Sequence, residues 1–297
     1  MARSFNGMVV IITGASAGIG HALAVELSAA GATLALAARR TDRLEALNRE
    51  LGGSHLCITA DVSRQEDCEQ IIARTIERFG RIDTLVCNAG YGILCPVAQT
   101  SPRQMREIFQ TNVFGTADCI RAAVPHMLRQ EIRDGFRGQV MLVSSAVARR
   151  AIPFFGVYSA TKAAQLSMAE AMRIELAPEK IAVTSVHPGS TQTEFGDVSA
   201  SRSNGLRPQR ISMEIQQSAQ TVARKMLHAI GRPRPEVWPI ASYRWLTGLG
   251  GLFPKAVDRV MLKRREQIGG TAGAGDGRRV DSEAGDRRRD LTSRRIH

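Results

Sequence analysis

The sequence predicts an α/β chain built on a doubly wound parallel sheet of about seven strands with helices on both faces. Three observations predict it. Short apolar runs alternate with longer segments of helical spacing. The first run empties into a glycine-rich turn that opens a helix. Six marks, at the glycine-rich turn Gly14 to Gly20, Arg39, Asp61, Asn88, Ser145 and Pro188-Gly189, each follow a predicted strand, which sets them along one edge of the sheet, where open α/β sheets bind ligands. Together these describe a Rossmann-like arrangement.

Residues 8–13 form a continuous, largely β-branched run, as in a strand buried on both faces. It leads into Thr13-Gly14-Ala15-Ser16-Ala17-Gly18-Ile19-Gly20, then into helical spacing at Leu23, Val25, Leu27 and Ala30. Glycines here permit a tight turn and let backbone N–H groups and a helix N-terminus approach a pyrophosphate. The spacing is G-x-x-x-G-x-G rather than G-x-G-x-x-G. A second strand, 32–38, ends in Arg39-Arg40 with no acidic residue beside them. An Asp or Glu at this place would accept the ribose 2′-OH of NAD, whereas a basic residue accommodates the 2′-phosphate of NADP. Arg39 is the first candidate because it follows the strand directly. Arg40 shares the work, and Ser16 offers a further hydrogen bond.

Thr41 is expected to cap a helix running through residue 51. A third strand, 55–59, is followed by Asp61-Val62, and Ser63-Arg64-Gln65-Glu66 reads as a capping box for a helix reaching 79. A fourth strand, 84–87, runs into Asn88-Ala89-Gly90. Ser101-Pro102-Arg103-Gln104 gives an N-cap with proline first in the helix. That helical pattern continues to 129 and contains Asn112. A fifth strand, 139–145, ends in Ser144-Ser145. The helix bearing Tyr158 and Lys162 reaches 176, and a sixth strand, 181–187, stops at Pro188-Gly189. Segment 191–208 is polar and reads as a mobile loop. An amphipathic helix, 213–230, precedes an edge strand at 234–238.

Residues 240–261 carry Trp245, Leu246, Leu249, Leu252, Phe253, Val257 and Val260, interrupted by Arg244 and Lys255. Packing within the protein is the leading expectation, with a lid, a dimer contact or peripheral membrane contact through 240–265 as alternatives. Residues 266–297 are rich in Gly, Arg and Asp and read as a disordered basic tail. The domain organisation expected is therefore a catalytic domain over 1–240, its loop and helical extension over 190–265, and the tail over 266–297.

Tyr158 and Lys162 stand four residues apart, so one helical turn stacks them on one face. A phenol is a poor proton donor at neutral pH, and a neighbouring ammonium brings its pKa down. The pair is a candidate proton relay at a carbonyl or alcohol oxygen.

Composition narrows the alternatives. The formal charge is +12, from 40 basic and 28 acidic residues, yet only five of the basic residues are Lys. Aromatics make up 5% of the chain, too few for stacking platforms, and no base-reading motif is present, so no specific nucleic-acid partner is expected. The five cysteines form no C-x-x-C pair, which predicts no metal site of that kind and a reduced compartment. With no signal-like leader ahead of the first strand and no apolar run near ~20 residues, a cytoplasmic location is expected.

Taken together, these motifs resemble the classical short-chain dehydrogenase/reductase family over roughly residues 6–240. The glycine-rich motif matches Thr13 to Gly20, and the Asn-Ala-Gly motif matches Asn88, Ala89 and Gly90. The family's tetrad matches Asn112, Ser145, Tyr158 and Lys162, with Ser145 preferred to Ser144 because it lies thirteen residues before the tyrosine. The resemblance implies that Asp61 and Val62 contact the adenine, and that Pro188 and Gly189 through Thr191 and Thr193 lie over the nicotinamide. It implies that Tyr158 exchanges a proton with the substrate oxygen. Ser145 would hold that oxygen, and Lys162 would lower the phenol pKa and bind the nicotinamide ribose. Asn112 would keep a water in line behind Lys162. Two positions depart from the pattern: Ala17 where a second serine is common, and Thr191 where valine is common.

The function expected is an NADP(H)-dependent oxidoreductase acting on a carbonyl or secondary alcohol, with an apolar bias from Ile93, Leu94, Phe154, Phe155 and the 240–261 segment, all expected to line the cleft. An NAD-linked alcohol or steroid dehydrogenase and a non-catalytic NADPH-binding sensor are the alternatives. The resemblance also implies a homodimer or homotetramer through the helices bearing Asn112 and Tyr158.

Overall fold

The computed structural model describes residues 2–203 and 216–265. Seven strands make one wholly parallel sheet: β1 (Val9–Thr13), β2 (Thr33–Ala38), β3 (Leu56–Thr59), β4 (Thr84–Cys87), β5 (Gly138–Val143), β6 (Ile181–Val186) and, introduced last in the chain, β9 (Glu236–Val237). Their order is β3-β2-β1-β4-β5-β6-β9, so the direction of winding reverses at β1. There Ile12 lies beside Leu36 on one side and Val86 on the other. A crevice opens at such a reversal, beyond the carboxyl ends of the strands.

The uninterrupted apolar strands follow from a sheet covered on both faces. Val10 and Ile12 point into one core, with Leu23 and Leu27 of helix α1 (Gly18–Ala29) and Val222 and Met226 of α8 (Ala219–Gly231). Ile11 points into the other, with Ile71 and Ile72 of α3 (Gln65–Phe79) and Cys119 and Ala123 of α5 (Gly115–Arg129). Ala169 of α6 (Gly156–Glu175) closes that second core.

The structure corrects several local expectations. Thr41 is the first residue of α2 (Thr41–Glu50) rather than its cap, and its hydroxyl pairs with that of Thr59. Ser63 caps nothing: the turn before α3 is held by Asp61 Oδ1, which accepts from the Ser63 amide at 3.0 Å, and by Asp67 Oδ2, which accepts from the Asp61 amide at 2.7 Å. Carboxylates are the stronger acceptors for such amides. The Ser101–Gln104 capping box does form, at the start of α4 (Pro102–Phe109). The single helix expected to 129 is broken into α4, a π-helical turn (Gln110–Phe114) and α5.

Segment 191–203 is not a plain loop. Thr191–Gln192 (β7) pairs with Gln217–Ser218 (β8), and Phe195–Ser201 forms α7. The helix expected from 213 begins at Ala219, capped by Ser218 Oγ, which accepts from the Thr221 amide. Residues 204–215 and the tail 266–297 lie outside the described residues.

The segment expected to pack inward forms α9 (Ala241–Leu252) and α10 (Pro254–Lys263), and it turns its large apolar side chains outward. Trp245 is 71% exposed and Leu252 72% exposed, with Leu246, Leu249, Phe253 and Leu262 also exposed. Among the described residues, no helix is long and apolar enough to cross a membrane.

Candidate active site

The cleft begins at the turn between β1 and α1. Gly14 has φ +68°, and a Cβ there would come within 2.9 Å of the Ala89 Cα. A Cβ at Gly20 would lie 2.5 Å from the Gly14 carbonyl. The turn is bolted to the end of β4. Thr13 Oγ1 accepts from the amides of Asn88 and Ala89 at 3.0 and 3.1 Å, and Asn88 Nδ2 donates to Thr13 O at 2.9 Å. Helix α1 starts at Gly18, and Ala17 supplies no capping side chain, so the first-turn amides of Gly18, Ile19 and Gly20 have no side-chain cap. A backbone cradle that any Cβ would fill, opening onto an uncapped helix N-terminus, fits the pyrophosphate of a dinucleotide.

At the end of β2 the two arginines part. Arg39 is 63% exposed and lies 3.8 Å from Asp61 Oδ2. Arg40 turns into the cleft and donates to Ser16 Oγ at 3.2 Å and to Glu194 Oε2 at 2.9 Å. Glu194 also takes Arg43, and both arginines hold its carboxyl below the usual range. Val62 is buried, and its carbonyl sits against Gly115, where a Cβ would be 2.2 Å away. Gly90 lies against the Asn112 side chain and 3.5 Å, measured from an added Cβ, from Lys162 Nζ.

The end of β5, the π turn and α6 bring the tetrad residues together. Ser145 follows β5, its hydroxyl accepts from the Val147 amide at 3.3 Å and neighbours the Tyr158 phenol, and both residues are buried. Ser144 is engaged elsewhere: its hydroxyl donates to the Lys162 carbonyl at 2.8 Å. Lys162 donates to Val143 O and to Gln165 Oε1, both at 2.9 Å, with its ammonium 5.7 Å from the Tyr158 ring centre. Asn112, in the π turn, accepts from the Tyr91 amide at 3.1 Å and donates to Thr161 Oγ1 at 3.0 Å.

Burial governs the charges here. It pushes the Tyr158 phenol up to about 12, against a lowering by the Ser145 hydroxyl, and pushes Lys162 down to about 7. The expected lowering of the phenol by Lys162 is therefore not the leading effect, because desolvation penalises both charged forms.

Pro188 and Gly189 close the far side. Pro188 O accepts from the Ala146 amide at 2.9 Å, and Gly189 packs so tightly on Tyr243 that a Cβ would be 2.4 Å from its ring. Thr191 Oγ1 donates to Gly189 O at 3.0 Å, and Thr193 packs over Gly18. Phe155 and Phe195 flank Tyr158 at 6.1 and 5.4 Å between ring centres, and Tyr91, Ile93 and Cys95 complete an apolar cluster. Leu94 and Phe154, expected beside them, lie outside that cluster.

Sequence reasoning missed Gln165, Glu194, Phe195 and His187. Gln165 carried a signal, since it shares the helical stripe of Tyr158 and Lys162. His187 stacks on Trp238 at 4.3 Å and lies 3.3 Å from the Ser145 carbonyl; burial holds it down to about 4, so it is neutral. Among the described residues, no cluster of His, Cys, Asp or Glu could hold a metal ion.

An uncharged, buried phenol beside a serine hydroxyl, with an amine one turn away, is equipped to exchange a proton with a small-molecule oxygen. Comparison with known proteins agrees. Residues 8–203 match the family model for short chain dehydrogenases. An Arabidopsis thaliana protein named 11-beta-hydroxysteroid dehydrogenase-like 3 is 34% identical over 255 residues, 84% of this chain and 79% of its own. Among solved structures, a 3-ketoacyl-(acyl-carrier-protein) reductase from Brucella melitensis complexed with NADH superposes with a TM-score of 0.69 at 26% identity, covering 79% of this chain and 97% of that one. An alcohol dehydrogenase from Thermococcus sibiricus complexed with 5-hydroxy-NADP does so with 0.67 at 29% identity, over 78% and 96%. The chain thus belongs to the short-chain dehydrogenase/reductase family, the oxidoreductases that act on CH–OH groups.

Proposed function

We propose that this protein transfers a hydride between a nicotinamide cofactor, NADP(H) in preference to NAD(H), and the carbonyl or secondary alcohol of an apolar small molecule. The carrying observation is the buried Tyr158–Ser145 pair with Lys162 one turn on, at the same sheet edge as the glycine cradle. Similar structures hold NADH in one case and an NADP analogue in another, so the cofactor preference rests on this chain's own residues. Arg40 takes precedence over Arg39 for the 2′-phosphate because it reaches Ser16 in the glycine-rich turn. The relative named 11-beta-hydroxysteroid dehydrogenase-like 3 and the aromatic wall around Tyr158 both favour an apolar substrate.

A nicotinamide bound there would supply or take the hydride. The amides of Gly18 to Gly20 would hold the pyrophosphate, Asp61 and Val62 would border the adenine, and Asn88 to Gly90 with Pro188 to Thr193 would form the walls. Ser145 orients the substrate oxygen, and Tyr158 gives its proton to that oxygen in reduction or takes it in oxidation. A phenol pushed upward by burial favours the proton-donating direction at neutral pH. Lys162, brought down to about 7, titrates across the working range and places positive charge beside the phenolate as it forms.

The deciding experiment titrates wild-type protein and Arg40→Ala with NADPH and NADH at fixed salt. Wild type is expected to prefer NADPH, and the variant to lose about 10- to 100-fold of NADPH affinity, the worth of a charge-assisted phosphate contact. An unchanged preference in the variant overturns the assignment, and binding of neither nucleotide overturns the enzyme reading.

The outward apolar face of α9 and α10 favours an anionic lipid surface as a further partner. Lys255, Arg259 and Lys263 lie exposed beside Phe253 and Leu262, the pattern of an interfacial helix. Sedimentation with vesicles of phosphatidylcholine and phosphatidylserine is expected to capture wild type and not Trp245→Ser/Leu249→Ser. Equal capture of both sinks the assignment. Assembly as a homodimer or homotetramer is expected through α5 and α6, where Phe114 beside α5 and Ile174 on α6 are exposed.

A further inference from the structure

Gln165 is the third member of a stripe on α6: positions 158, 162 and 165 follow the i, i+4, i+7 spacing of one helical face. Its side chain has no exposed surface. Every hydrogen-bonding group it carries is engaged by protein. Oε1 accepts from the Lys162 ammonium at 2.9 Å, and Nε2 donates to the Asn112 carbonyl at 2.7 Å and to Thr116 Oγ1 at 2.9 Å. Thr116 Oγ1 in turn donates to the same Asn112 carbonyl at 2.8 Å. A carbonyl only accepts, so the amide of Gln165 must face Asn112 and its oxygen must face Lys162. Asn112 lies in the π-helical turn, where the regular α-helical ladder is interrupted and a carbonyl turns to side-chain donors.

We infer that Gln165 is a positioning residue for Lys162, its carboxamide forming the link between the ammonium and the Asn112 carbonyl that the family resemblance gives to a water. The inference rests on the hydride-transfer reading only for its functional meaning. The carboxamide differs from a water in two ways. It is covalently tethered, so the ammonium is held without immobilising a solvent molecule. It also does not take up a proton at ordinary pH, so the link clamps Lys162 and carries no proton away. Protons then reach Tyr158 from the cleft side. Val143 O and Gln165 Oε1 occupy two of the three ammonium donors and leave the third for a partner outside this network.

A purely space-filling Gln165 would leave the ammonium's proton affinity untouched, and that can be read directly. Of the five lysines, 180, 225, 255 and 263 are exposed and Lys162 alone is buried. Its Cε resonance in protein labelled with 13C-lysine is therefore separable, with Lys162→Ala for assignment. Tyr158 on the same helix is the titratable group its ammonium faces, burial is the cause of its low pKa, and the groups from neighbouring elements that touch it are uncharged. Gln165→Leu, which removes the acceptor, is expected to lower the Lys162 midpoint by about one pH unit, and Gln165→Glu to raise it by at least as much. Midpoints equal to wild type in both variants overturn the inference. Should Gln165→Leu fail to fold, Gln165→Glu alone decides, and an unmoved midpoint there is equally fatal. The titration needs neither nucleotide nor substrate. It therefore stands or falls separately from the hydride-transfer reading, which Tyr158→Phe kinetics test.

Discussion

Each end of the parallel sheet buries a cation. At the amino ends of the strands Arg3 is 5% exposed; at the carboxyl ends Lys162 is 4% exposed. Arg3 donates to Gln139 Oε1 at 2.9 Å, Thr84 Oγ1 at 3.2 Å and Asp83 O at 2.8 Å, fastening the starts of β4 and β5. Asp83 and Asp134 offset part of the burial cost, and Arg3, brought to about 10, stays charged at neutral pH. Lys162 meets only dipoles and a phenol ring, and its charge is poised near neutrality. A buried cation with a counter-charge is a fastening. One without a counter-charge holds its proton loosely, and that looseness is what a reaction uses.

The largest effect should come from the proton itself. Tyr158→Phe removes the exchangeable proton and keeps the ring between Phe155 and Phe195. Turnover of a ketone or secondary alcohol is expected to fall by about 10²- to 10⁴-fold, with NADPH affinity and melting temperature near wild type. Turnover surviving the change would break the contrast, since the carboxyl end would then also be merely structural.

At the opposite end the effect should appear in stability. Arg3→Met leaves the Asp83 and Gln139 oxygens buried with fewer donors, and Asp83 keeps Arg81 and the Val9 amide. A loss of about 3 kcal/mol is expected in urea unfolding, as for buried acceptors left without a donor. Activity per folded molecule is expected to be unchanged. A fall in turnover without a fall in stability would show that the two ends are coupled.

The two ends were also unequally legible in the sequence. The glycine-rich turn and the Tyr158–Lys162 pair are local, and backbone freedom or helical spacing announces each within a few residues. Ser145 was separable from Ser144 by its distance to Tyr158, and the structure gives Ser144 to the Lys162 carbonyl. Arg3 carried no local signal, because its partners Thr84 and Gln139 stand 81 and 136 residues away. The π turn at Asn112 is hidden for another reason: helical spacing looks the same on either side of one widened turn. Arg39 was placed ahead of Arg40 by adjacency to the strand, whereas the direction of the backbone at the strand end turns Arg40 toward Ser16. The hairpin of α9 and α10 has enough apolar residues to be a core element. Its outward face depends on packing that periodicity alone does not specify.

The finest test compares how stability responds to pH at the two cations. The folded pKa of Lys162 is depressed to about 7 from the ordinary 10.5. Between those values the unfolded chain binds a proton at this lysine that the folded chain does not. Stability contributed by this site must therefore rise with pH from about 7 to about 10.5, by at most about 1.4 kcal/mol per pH unit. Below about pH 7 both states are protonated and the site contributes no slope. Lys162→Met removes the dependence, so the stability difference between wild type and variant should move in favour of wild type as pH climbs through that window. Arg3, depressed only to about 10, should give Arg3→Met no such drift below about pH 9. Urea unfolding of the three proteins at closely spaced pH values separates these cases. A parallel pair of curves for wild type and Lys162→Met would mean that Lys162 keeps its proton as firmly as Arg3 does, and the distinction between fastening and reactive cation would be lost.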